Sequence, residues 1–178
     1  MLRLLGKSEY GLYNTVSSTI SMLSLLSLGF NSGYIRYYTR YKQNDDTESI
    51  WKLNGLFLIV FIIIGVIGLL CGIFLSFHLD LVFSDGLTAA EYRLANVLMI
   101  LLSINLAISF PMSVFGNIIS ANERFVVLKA VGILKTVVGP LVTLPLLLMG
   151  YRAVAMVVVT LVLSGIADAV YVFYVVRR

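Results

Sequence analysis

No charged side chain interrupts residues 53–77, a run of 25 positions. Wound as an α-helix at about 1.5 Å per residue, such a run crosses the ~30 Å hydrocarbon core of a bilayer with length left over for tilt. Four further stretches repeat the pattern: residues 10–35, 94–121 and 136–151 carry no charge, and 153–176 is broken only by Asp168. The expectation is an all-α, polytopic transmembrane bundle with spans at about 10–35, 53–77, 94–118, 131–151 and 153–176, forming one domain over residues 1–178.

Composition excludes most other classes. Hydrophobic residues make up 60% of the chain and charged ones 12%, with a mean hydropathy of +0.98; soluble domains carry about a quarter charged residues. The net charge of +4 comes from basic residues gathered in the loops between spans, so it points to membrane topology and not to nucleic acid. Cys71 is the one cysteine and lies inside an apolar run, which leaves neither a disulfide framework nor a Cys/His metal site. No cofactor is expected, and residues 1–9 lack the apolar core of a cleavable leader. Nothing resembles a Ser/His/Asp arrangement or a phosphate-binding glycine loop, so the chain is not expected to be an enzyme. Asp80, Asp85 and Glu91 in one loop match no ligand spacing, and Asp45, Asp46 and Glu48 read as a solvated turn.

Basic residues decide the expected orientation. Arg36, Arg40, Lys42, Lys52, Arg124, Lys129, Lys135, Arg177 and Arg178 fall on one side of the five spans, and Arg3, Lys7, Arg93 and Arg152 on the other. The richer side is expected to be cytoplasmic, with the C-terminus inside. Tyr34, Tyr37, Tyr38 and Tyr41, and Trp51, are expected as interfacial anchors. An N-terminus starting outside, with Arg3 and Lys7 to translocate, suggests a piece of a longer transporter.

The spans are not uniformly apolar. At 100° per residue Asn14, Ser18, Ser21, Ser32 and Arg36 fall in one narrow sector of the first span, with Ser17 and Ser24 beside it. Such a stripe cannot face lipid; it packs against small-residue surfaces of other helices or lines a watery cavity. In the third span Asn105, Ser109, Ser113, Asn117 and Ser120 share one half of the circumference, and Pro111 predicts a bend. Gly139, Pro140 and Pro145 predict irregularity in the fourth. Asp168 is the one acid at depth, with Ser164 and Thr160 at four-residue steps, and Lys135 is its expected partner, either for ion coupling or as a structural pair.

Residues 5–13, LGKSEYGLY, followed by a polar span and then Leu28, Gly29, Phe30, Arg36 and Tyr37, resemble the bacterial oligosaccharide flippases of the polysaccharide-export family. The resemblance implies a two-lobed, alternating-access transporter related to the multidrug and toxin extrusion proteins, with these spans forming part of one lobe. It implies a polyprenyl-diphosphate-linked oligosaccharide as substrate, an inner-membrane location, and glycan polymerases or glycosyltransferases as partners. On that reading Arg36 offsets the diphosphate charge, while Ser18, Ser21, Asn105 and Asn117 replace water around sugar hydroxyls. Two other expectations stand beside it: a cation-coupled drug exporter of the same superfamily, and a non-transporting membrane subunit.

Overall fold

The computed structural model describes residues 6–25, 29–83 and 87–177; Arg3, Leu5, Leu28, Asp85 and Arg178, named above, lie outside them. The described residues form six α-helices and no strand: α1 Lys7–Ser24, α2 Phe30–Gln43, α3 Thr47–Phe77, α4 Ala89–Ala121, α5 Phe125–Leu148 and α6 Arg152–Val176, with a short 3-10 turn at Leu79–Leu81. Helices α3 to α6 are each long and apolar enough to cross a membrane. The protein is a helical membrane bundle.

Local chemistry sets the boundaries. The Asp46 carboxylate accepts the Ser49 N–H at 3.0 Å and so starts α3. A capping box starts α4, in which Thr88 accepts from the Glu91 N–H and Glu91 accepts from the Thr88 N–H at 3.0 Å. Gly150, at φ 89°, turns the chain between α5 and α6.

Helix α4 is the axis of the bundle and touches all five others. Its closest neighbour is α3, because Gly65, Gly68 and Gly72 present bare backbone to it. A methyl group on Gly65 would lie 2.9 Å from the Ala107 carbonyl oxygen, and one on Gly72 would collide with the Ser103 hydroxyl. Ser103 is fully buried there and satisfies itself by donating to the Met99 carbonyl at 2.6 Å. Away from these contacts Ile59, Ile63, Leu70 and Phe74 of α3, and Ile133, Leu141 and Leu148 of α5, are exposed, an outer surface that hydrocarbon can solvate.

Polar contacts tie the bundle at two opposite ends. At one, Ser8 of α1 donates to Glu91 of α4, and Arg152 of α6 donates to Glu9 of α1 at 2.8 Å. At the other, Lys42 of α2 donates to Asn122 just after α4 at 2.7 Å, and Asn122 donates to the Tyr38 hydroxyl at 2.9 Å. Hence α1, α4 and α6 start at the same end, and α3 and α5 run back.

Two expectations change. The stretch 10–35 is not one helix: α1 and α2 cross the bundle as two segments, and Gly29 between them sits at φ 91°, outside the right-handed helical region. Tyr34 and Tyr38 are core residues, not interfacial anchors; Tyr34 packs edge-on to Phe57 at 5.1 Å and donates to Asn54 at 2.5 Å, because α2 lies against α3. Trp51 and Tyr37 are exposed. Pro111 lies within α4, and Pro140 and Pro145 within α5; each proline forfeits one backbone bond, the local weakening on which the expected bend and irregularity rest.

Candidate functional site

The buried face of α1 is Leu12, Val16 and Ile20, a spacing of four that docks one stripe on the bundle. Its neighbouring face carries Glu9, Tyr13 and Ser17, also at steps of four, and this face meets α6. On α6 the facing ridge is Arg152, Met156 and Thr160, continued by Ser164 and Asp168. Glu9 meets Arg152, and one turn inward Tyr13, Met156 and Thr160 line a cleft of about 240 Å³ together with Lys135 and Thr143 of α5.

Polar side chains from three helices converge on this cleft. The Lys135 ammonium donates to the Ser164 hydroxyl at 3.2 Å, and the Thr143 side chain is buried in the wall. The Ser17 hydroxyl, one turn from Tyr13, is buried with no hydrogen-bond partner, as is the second carboxylate oxygen of Glu9. Ammonium, phenol and hydroxyl groups at one place can hold an anionic, hydroxyl-rich group by charge-assisted and neutral hydrogen bonds, with Lys135 acting as a point charge.

The residues singled out in the sequence separate into four places. Ser18 and Ser21, with Asn14, are exposed on α1, and Ser21 donates to the Ser17 carbonyl at 2.7 Å. Arg36 is exposed on α2; on the same helix Asn31 accepts from Asn117 of α4 at 2.8 Å, and Asn105 is half-buried on α4. Lys135 enters the cleft, whereas Asp168 lines the wall of a separate, apolar groove with Ile108 and Met112 of α4. One Asp168 carboxylate oxygen is buried without a hydrogen bond, and among the described residues no ion pair joins it to Lys135, whose ammonium bonds Ser164 one turn earlier on α6.

Sequence reasoning missed Tyr13 and Thr143 as lining residues and Glu9 with Arg152 as a pair. Tyr13 lies in the run that carries the family resemblance and Thr143 sits between Pro140 and Pro145, which are local signals. The Glu9 to Arg152 contact joins positions 143 apart and has no local signal.

Compared with known families, the whole chain, residues 1–178, matches the one described as polysaccharide biosynthesis protein. No curated protein and no solved structure matches it.

Proposed function

The chain belongs to the polysaccharide biosynthesis protein family, and from that premise we propose that it moves a polyprenyl-diphosphate-linked oligosaccharide across the cytoplasmic membrane for surface glycan assembly. It makes and breaks no covalent bond. The sugar diphosphate crosses beside groups that substitute for water, while the polyprenyl tail stays in the lipid. In this reading the protein resides in the inner membrane with its C-terminus in the cytoplasm, which the crowding of Arg124, Lys129 and Arg177 towards the Asn122 end supports. Glycosyltransferases or a glycan polymerase supply and consume the cargo.

The observation that carries the reading is Lys135 in a cleft it shares with the Tyr13, Thr143 and Thr160 hydroxyls, within a bundle whose α3 and α5 faces are apolar. A cation placed there is expensive unless an anion or a polar path uses it. The polar outer face of α1, with Asn14, Ser18 and Ser21 exposed, adds support, since that surface is unsuited to lipid.

The test is surface glycan in cells whose chromosomal copy carries Lys135→Met or Lys135→Arg. Lys135→Met lowers surface glycan at equal membrane abundance, and Lys135→Arg keeps most of it. Undiminished glycan in Lys135→Met rejects the reading. The unpartnered Asp168 oxygen favours a second one, cation-coupled export of drugs by the same superfamily architecture; drug hypersensitivity with intact glycan on loss of the gene selects it.

A further inference from the structure

Arg152 is held in an uncommon backbone conformation, at φ 53°, on the first residue of α6. Non-glycine residues occupy that region at a cost and mostly where the surrounding structure requires it. Here the result is that the Arg152 guanidinium reaches Glu9 on α1 at 2.8 Å. The Glu9 side chain is 17% exposed, so the carboxylate is tucked between the helices while the arginine lies over it from the surface.

The positions beneath are decisive. Tyr13 is one turn below Glu9 on α1 and Met156 one turn below Arg152 on α6, and both line the polar cleft. The ion pair therefore lies one helical turn beyond the lining of that cleft on both helices, towards the end where α1 and α6 begin. Below it the α1 side is poorly satisfied: the Ser17 hydroxyl and one Glu9 oxygen are buried without hydrogen bonds. Elsewhere α1 packs on α4, to which Ser8 is tied through Glu91, and its Leu12, Val16 and Ile20 are buried in the bundle. The α1–α6 seam thus combines one strong polar contact at its end with unsatisfied polar atoms inside.

We propose that the Glu9–Arg152 ion pair is a latch that closes the cleft between α1, α5 and α6 at the end where α1, α4 and α6 begin. Breaking the pair lets α6 part from α1, admits water to Ser17, Thr143 and Thr160, and opens the cleft to that side of the membrane. The latch presupposes that the cleft is a path, as in the proposed transport function, but its test reads labelling and not glycan.

In cells expressing the full protein with Cys71→Ser and a single reporter, Met156→Cys, a membrane-impermeant thiol reagent is applied from the side carrying Glu9. With the pair intact the reporter, at a position 8% exposed, labels slowly. Arg152→Ala raises the labelling rate severalfold, and so does Glu9→Gln. The exchange Glu9→Arg with Arg152→Glu restores slow labelling, which a merely misfolded variant would not do. Equal labelling across all four proteins, or an increase that the exchange leaves in place, overturns the latch. If labelling follows the latch while Lys135→Met leaves glycan unchanged, the latch stands and the transport reading falls.

Discussion

Lys135 of α5 donates to Ser164 of α6 at 3.2 Å and so spends its directed hydrogen bond one helical turn short of Asp168. A half-buried cation and a half-buried carboxylate that share a neighbour without closing an ion pair still feel one another where water screens them incompletely. The expected outcome is energetic coupling: Lys135→Met destabilises the protein more in the presence of Asp168 than in an Asp168→Asn background, by about 0.5–2 kcal/mol. A double-mutant cycle of thermal unfolding in detergent measures it, and a coupling of zero would show the two to be independent.

The α3–α4 contact depends on missing side chains. Gly72→Ala forces the two helices apart at Ser103 and is expected to cost roughly 1–3 kcal/mol, the usual penalty of overpacking. Gly55, also on α3, has nothing within 4 Å of the added methyl, and Gly55→Ala is expected to be neutral or slightly stabilising. Melting temperatures of the two purified variants compare them directly.

Tyr34 contributes a buried ring and a buried hydroxyl, and the two can be separated. Tyr34→Phe keeps the edge-on contact with Phe57 but strands the Asn54 acceptor, for a loss of about 1 kcal/mol. Tyr34→Ala also removes the ring and is expected to lose about 3–5 kcal/mol. Equal losses would mean that the ring adds nothing.

The Asp46 carboxyl is held below its ordinary range by hydrogen bonds from Ser49, side chain and backbone, and less so by Lys52. A depressed folded-state value stabilises above the unfolded value of about 3.9 and is lost as pH falls through the folded one. The start of α3 is therefore indifferent to pH between neutrality and about 5 and weakens in stronger acid. Asp46→Asn retains a cap and should flatten that acid limb in a melting series; an unchanged limb would assign it to other carboxylates.

Arg36 stands exposed on α2, away from the cleft that holds Lys135. If both cations serve the same passage, Arg36→Ala lowers surface glycan without lowering membrane abundance, and the Lys135→Met effect adds to it. Unchanged glycan in Arg36→Ala restricts the anion contact to Lys135.

The long apolar helices were legible because their signal is local: residues 53–77 and 153–176 fall inside α3 and α6 by uncharged length alone. The division of 10–35 was not, since Asn14, Ser18, Ser21 and Ser32 keep helical phase across a break that Gly29 makes possible but does not announce. The tyrosines of α2 misled for a related reason. Position near a helix end suggests an interface, whereas burial of Tyr34 and Tyr38 is decided by α3 alongside. In the cleft, Lys135 stood out as a charge near an apolar run, but Tyr13 and Thr143 become lining residues only once α1, α5 and α6 converge.

A rod transmits tilt from one tip to the other, and the first crossing of this bundle is not a rod. Its upper segment is fastened to α6 and α4 by Glu9 and Ser8, its lower segment to α3 and the close of α4 by Tyr34 and Lys42, and Gly29 lies between. The two fastenings thus hold different partners, so that loosening Glu9 and Ser8 leaves the packing of Tyr34 on Phe57 in place.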